Sequence, residues 1–151
     1  YDASIGSNPE YDTDVIRYNY TSLTTPSSVI DYNVVTQKEE IKKQQEVLGG
    51  VFDSKNYTSE RLFATGHDGI KIPISLVRHI DTELNKNTPI LQYAYGSYGS
   101  TIDPSFSSVR LSLLDRGFVF AIAHVRGSQY LGRSWYEDGR MLYKKNTFKD
   151  F

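Results

Sequence analysis

Few residues in this chain could attack a peptide, ester or phosphate bond. Cysteine is absent, which removes thiol nucleophiles, thiolate metal sites, redox pairs and disulfide scaffolds together. A serine nucleophile needs a base within hydrogen-bond reach and an acid to orient that base. The sharp turn that displays such a serine, Gly-x-Ser-x-Gly, occurs nowhere in the sequence. The three histidines are poorly placed as bases. His67 falls in a predicted turn, His79 at a strand end, and His124 in the most apolar segment, where a hydrogen-bonded core imidazole is expected. No two have the His-Glu-x-x-His spacing that holds zinc, and Glu137-Asp138 reads as a solvated acidic pair. The residues point to no metal, no cofactor and no complete triad.

Two glycine-bearing joints are the remaining candidates. Tyr95-Gly96-Ser97-Tyr98-Gly99-Ser100 stands between a predicted buried strand and a predicted helix, and ligands of α/β sheets bind at the carboxyl ends of strands. It fits neither the dinucleotide fingerprint nor the phosphate loop, so a tight turn explains it as readily as a site does. The second joint, Arg126 to Gly132, follows the next apolar strand. A structural connection with the arginine paired to an acid is its plain reading.

The elements that would position these joints change in kind along the chain. Alternation through Ile16, Tyr18, Tyr20 and Ser22, a stop at Thr24-Thr25-Pro26, and a second run from Ser28 to Val35 predict antiparallel hairpins. Residues 36–45 have helical propensity but a single apolar anchor, Ile41, which leaves helix and exposed strand both open. Gly49-Gly50 marks a boundary. A hairpin follows, with strands over 57–66 and 70–77 joined at His67-Asp68-Gly69; Pro73 within the return strand predicts a sheet edge or a bulge. A short apolar strand from Pro89 then leads to a helix carrying Phe106, Val109, Leu113 and Leu114, capped at Gly117. The continuous apolar run 118–125 predicts a strand covered on both faces, hence a βαβ unit with a parallel pair. At the end, Asn146-Thr147 can cap a helix whose stripe begins with Phe148 and Phe151. That helix stops one turn in, and the expectation is that the chain is cut from a longer one.

Composition agrees with a packed, strand-rich protein: 38% hydrophobic, 23% charged and 12 tyrosines in 151 residues. A net charge of -1 gives no electrostatic case for nucleic acid or an anionic membrane, and the longest apolar run is too short to span a bilayer.

Several runs are similar to the prolyl oligopeptidase family of serine peptidases. They include Tyr20 to Pro26, Tyr57 to Leu62, Asp68-Gly69, Ile72 to Val77, Tyr93 to Gly99, Leu111 to Gly117, His124 to Gly127 and Trp135 to Gly139. The Ser-Leu-Thr-Thr-Pro run at 22–26 and Trp-Tyr-Glu-Asp-Gly at 135–139 resemble the oligopeptidase B (protease II) branch. The resemblance implies an α/β chain in which residues 1–50 form the C-terminal part of a β-propeller. Residues 51–151 would form the opening of an α/β-hydrolase domain, an antiparallel hairpin and then βαβ. It also implies that residues 36–45 form a strand.

By the same resemblance, the Tyr95 hydroxyl would donate to the oxyanion of a tetrahedral intermediate, a role worth on the order of 3 kcal/mol in comparable sites. Tyr98 would line the pocket for the residue before the scissile bond. Serine, aspartate and histidine of the triad would lie beyond Phe151, so this chain alone should be inactive. The parent would cleave short oligopeptides after Lys or Arg, in the cytoplasm. A prolyl-specific parent and a non-catalytic interaction module are the alternatives. The loop after Arg126 departs from the family's Gly-Gly-Gly-Glu, reading Ser128, Gln129 and Tyr130 after Gly127. The chain's partners would be its own remainder and a peptide substrate, and an unfinished sheet should self-associate.

Overall fold

The computed structural model describes residues 1–151. They form two compact units, Tyr1–Lys55 with Asp103–Val109, and Asn56–Ile102 with Arg110–Phe151.

The first unit is an antiparallel meander of β1 (Asp2–Ile5), β2 (Val15–Thr21), β3 (Ser28–Asn33) and β4 (Lys38–Gln44), in that spatial order. The segment that propensity left between helix and strand is β4. It pairs with β3 from Asn33↔Lys38 to Ser28↔Gln44, with a register shift at Val29/Ile30. Gln37, at φ 56, and the Asn33 side chain, which accepts the Val35 and Thr36 amides, make the tight return. Strand β1 carries no sequence signal: its four residues are all exposed, and only Ile5 is large and apolar.

The second unit holds β5 (Tyr57–Thr65), β6 (Lys71–His79), β7 (Ile90–Tyr93), α1 (Ser108–Leu114, whose first two residues group with the first unit) and β8 (Val119–Ala123). Its sheet order is β5-β6-β8-β7, with β7 and β8 parallel and the other pairs antiparallel. The hairpin and the parallel pair are therefore present, joined through β8. Helix α1 closes as a Schellman motif: Phe118 N–H donates to Leu113 O and Gly117 N–H to Leu114 O, with Gly117 at φ 84. Strand β8 is buried at every residue. Val119, Ala121 and Ala123 face one side with Leu76 and Ile74, and Phe120 and Ile122 face the other with Val77.

Three expectations fail here. Strand β7, read as buried, is exposed at all four residues because it lies at the sheet edge with β8 as its one neighbour. Pro73, read as an edge or bulge marker, sits instead in interior strand β6. The reason lies far along the chain. Pro73 O accepts the His124 N–H at 2.9 Å, and the reciprocal donor that proline lacks is replaced by the Trp135 indole N–H, which reaches His124 O at 2.9 Å. The third concerns the last helix, α3 (Lys145–Asp150), reached through α2 (Arg133–Glu137) and a short 3-10 turn. Asn146 and Thr147 do not cap it: Lys144 holds the N-cap position without a side-chain bond. Thr147 and Asp150 are buried and bond to the β8 side of the unit, whereas Phe148 and Phe151 are exposed.

Candidate active-site loop

The first glycine joint leaves β7 at Tyr93 and turns sharply, with Gly96, Tyr98 and Gly99 at φ 64, 55 and 71. The turn is close to the backbone after β8. A side chain at Gly96 would meet Thr147 Cγ2 at 2.5 Å and Val125 Cγ2 at 2.6 Å, so glycine is required by both space and φ. Gly99 N–H donates to Gly127 O at 3.0 Å and Gly99 O accepts from Gln129 N–H at 3.1 Å. The two glycine joints, distinct in sequence, are one backbone-bonded layer at the carboxyl ends of β7 and β8.

Tyr95 is half-exposed at the start of this turn. It borders a narrow crevice with Gly96, Ser100, His124 and Ser128 on one side and, on the other, an open recess of about 170 Å³ lined with Val125, Thr147, Phe148 and Phe151. Its hydroxyl makes no hydrogen bond within the chain, so the donor is free for an incoming group. Tyr98 is 86% exposed. Its left-handed backbone, uncommon for a bulky residue, turns it into solvent.

Beneath the turn, Arg126 is buried and fully paired, as its plain reading anticipated. Nε and Nη2 donate to Asp150 Oδ2 and Oδ1 at 2.8 and 2.6 Å, and Nη1 donates to Asp68 Oδ2 at 2.7 Å. The hydrogen bonds it donates to Asp150 and Asp68 hold the guanidinium above its ordinary pKa, against burial, and the Asp68 carboxyl is held below its own by Arg126. Asp68 comes from the β5–β6 hairpin turn and Asp150 from α3, so one cation ties three elements. Neither partner is recognisable in the sequence, where they lie 58 and 24 residues away.

Thr147 and Lys144 were also missed. Thr147 Oγ1 donates to Arg126 O at 2.7 Å and lies 3.1 and 3.5 Å from Gly139 O and Gly96 O. Lys144 Nζ bonds Gly96 O, and Ser97 Oγ at 2.8 Å; burial pulls its pKa below the ordinary lysine value.

The histidines behave as their positions imply. His124 Nε2 and Ser75 Oγ are 2.8 Å apart and both buried, the imidazole stacks on Tyr130 at 3.7 Å, and Arg61 lies over the far ring. Burial first, and Arg61 second, lower its pKa to about 4, so it is a neutral core group at pH 7. His79 lies beside Asp81 at the end of β6. Glu137 is held between Arg133 and Arg140. The departure from Gly-Gly-Gly-Glu is absorbed structurally: Ser128 Oγ donates to Val125 O, and Tyr130 supplies the ring against His124.

Known proteins share this fold. Residues 2–45 match the N-terminal β-propeller domain of prolyl oligopeptidase, and residues 104–151 match the prolyl oligopeptidase family. The chain belongs to the prolyl oligopeptidase family. Dipeptidyl aminopeptidase BI of Pseudoxanthomonas mexicana is 48% identical over 100% of this chain and 21% of its own length. Protease 2 of Moraxella lacunata is 40% identical over 100% of this chain and 22% of its own. Oligopeptidase B from Trypanosoma brucei, in its closed form with covalently bound antipain, superposes with a TM-score of 0.85 at 44% identity, covering 98% of this chain and 21% of that one. The chain thus spans about one-fifth of the relatives it matches. Its first sheet is propeller-type and its second the antiparallel-then-parallel opening of an α/β-hydrolase sheet, which explains why the sequence changes character midway.

Proposed function

We propose that this chain is part of a serine-type oligopeptidase in which Tyr95 supplies one oxyanion donor, while the nucleophile, base and acid come from residues outside these 151. The single observation that carries the reading is the Tyr95-Gly96 turn. An unpaired phenol hydroxyl is held at the carboxyl end of a parallel strand, on a loop whose backbone is fixed by the second glycine joint. In acyl transfer such a donor acts as the carbonyl oxygen becomes an oxyanion, strengthening its bond as charge develops. With no Gly-x-Ser-x-Gly turn, the chain alone should be inert toward a fluorophosphonate probe. In the full-length protein, Tyr95→Phe should lower kcat by on the order of a hundredfold with little change in KM. Unchanged turnover sinks the assignment.

Cleavage of short peptides after Lys or Arg is the specificity we propose, supported by the resemblance to the oligopeptidase B branch, with Tyr98 lining the pocket before the scissile bond. Arg-ending reporters should be cut and Pro-ending ones spared; the reverse result selects a prolyl-specific parent. The 48% identity to a dipeptidyl aminopeptidase favours a second reading, release of dipeptides from a free amino end. Blocking the amino group of the same reporter separates the two, because only the second needs it free. We propose a cytoplasmic setting on the resemblance alone; recovery in a periplasmic fraction contradicts it. The isolated chain should self-associate through edge strand β7, whose Ile90, Leu91 and Tyr93 are exposed. A monodisperse monomer in light scattering at high concentration argues against that.

A further inference from the structure

We infer that Lys144 is a positioning residue for Tyr95, holding the Tyr95-Gly96 turn in the conformation that presents the phenol hydroxyl. The inference rests on the oxyanion reading of Tyr95 and goes beyond it. A turn with three residues at positive φ within four positions, one of them the bulky Tyr98, is not a conformation this backbone keeps unaided. Something must over-determine it. Three backbone bonds act on its far end, Gly99 N–H to Gly127 O, Gln129 N–H to Gly99 O and Ser100 N–H to Ser97 O. At the near end, next to Tyr95, the peptide carbonyl of Gly96 is the group whose direction sets the turn, and it is bonded by the Lys144 ammonium.

Thr147 does not replace that bond. Its hydroxyl has one proton, which goes to Arg126 O at 2.7 Å, and Gly96 O lies 3.5 Å away. Lys144, with three donors, also bonds Ser97 Oγ at 2.8 Å, so it grips two consecutive residues of the turn. Lys144 is itself placed by its position at the junction of the short turn Met141–Tyr143 and α3, and α3 is anchored by the buried Asp150–Arg126 pair. The chain of restraint therefore runs from Arg126 through α3 to Lys144 and from there to the carbonyl beside Tyr95. A charge-assisted bond to a peptide carbonyl is stronger than a neutral one, as fixing a strained turn requires.

The test is a double-mutant cycle in the full-length protein, measuring kcat and KM for an Arg-ending reporter. Lys144→Met should lower kcat on the order of tenfold, with KM changed less than about twofold, as displacement of a group acting in the transition state does. In the Tyr95→Phe background the same substitution should have almost no further effect, because the hydroxyl it positions is gone. Lys144→Arg, which keeps the cation and its donors, should recover most of the loss. An equal loss from Lys144→Met in both backgrounds overturns the inference and leaves the Tyr95 reading standing. An unchanged kcat in Tyr95→Phe alone overturns the reading and the inference with it. If Lys144→Met is unfolded by circular dichroism, Lys144→Gln is put through the same cycle; loss of fold in both makes Lys144 a folding residue and overturns the inference.

Discussion

The two sheets are alike in their ladders and unlike in almost everything else. Each has four strands and at least two antiparallel pairs in regular register. In the first, β1 and β4 are exposed along their whole length, and the buried apolar side chains are Leu23 and Ile30. In the second, β8 is buried throughout, and Ile72, Val77, Leu114, Ile122 and Val125 are nearly inaccessible. A backbone hydrogen bond exchanges against water for roughly 1 kcal/mol net, whereas each fully buried aliphatic side chain contributes roughly 1.5–3 kcal/mol. The difference teaches that register specifies both sheets, but stability within this chain resides in the β6–β8 layer and in the close-packed joints at its carboxyl end.

Two glycines at the same φ of 95 give the sharpest way to break that comparison. A methyl at Gly49 meets nothing within 4 Å, while at Gly127 it would lie 2.1 Å from Gly96 O and 2.9 Å from both Gly139 O and Thr147 Oγ1. Gly49→Ala should cost about 1 kcal/mol, the backbone penalty alone. Gly127→Ala adds a clash with backbone that has no room to yield and should cost more than about 4 kcal/mol, enough to unfold the second unit. Similar unfolding midpoints for the two variants would mean that the joint is far softer than its geometry implies.

The ion pairs give the next largest contrast. Arg126→Met leaves two carboxylates without their cation, one of them fully buried, and should destabilise by about 3–5 kcal/mol. Arg17 pairs with Asp31 in the first sheet through two similarly short bonds, but in water. Removing it should leave the midpoint almost unmoved, and whatever shift appears should vanish in high salt. A salt-insensitive loss at Arg17 would show that the first sheet has a dry interior after all.

What could be read in advance divides along the same line. Period-two alternation marked β2 and β6, a mix of β-branched and aromatic residues marked β3, a solid apolar run marked β8, and a glycine after Leu114 marked the end of α1, because each is a local consequence of side-chain type, direction or φ. Pro73 misled because its missing donor is compensated by Trp135, which lies sixty-odd residues on and has no local signature. Strand β7 misled for a similar reason: a short, largely apolar run reads as buried, and only the strand order puts it on an edge. The candidate loop was legible as two glycine joints, but not as one layer. Asp68, Lys144, Thr147 and Asp150 join it through side-chain geometry that begins where sequence spacing stops being informative.

Acidification tests the core of the second sheet from another side. His124 is nearly inaccessible, and its pKa is about 4 in the folded chain against 6.5 unperturbed. Between those values the unfolded chain takes up a proton that the folded chain refuses. Stability should therefore fall as pH drops from 6.5 to about 4 and level off for this group below that, by roughly 3 kcal/mol in all. Asp68 and Glu137, whose carboxyls are held below their ordinary values by arginines, lose their contribution as pH falls through and below the ordinary carboxylate range, so the part of the window above that range belongs to His124. His124→Gln should flatten the denaturation midpoint against pH across that window; an unaltered slope would mean that another group produces it.

The smallest expected effect is the most direct measure of how little the first sheet buries. Ile30 and Ile41 face each other across β3 and β4, yet Ile30 is 7% exposed and Ile41 59%. Cross-strand partners share a face, so a sheet with a filled core would bury both. Ile30→Ala should cost about 2–4 kcal/mol, by lost transfer and an incompletely collapsed cavity. Ile41→Ala removes the same atoms from a side chain already in water and should cost less than about 0.5 kcal/mol, mostly in strand preference. Paired urea midpoints in the 151-residue chain decide the matter. If Ile41→Ala costs as much as Ile30→Ala, that face is covered in solution, and the exposure of β4 is made good by association between chains; the loss should then shrink on dilution, as burial in an interface requires.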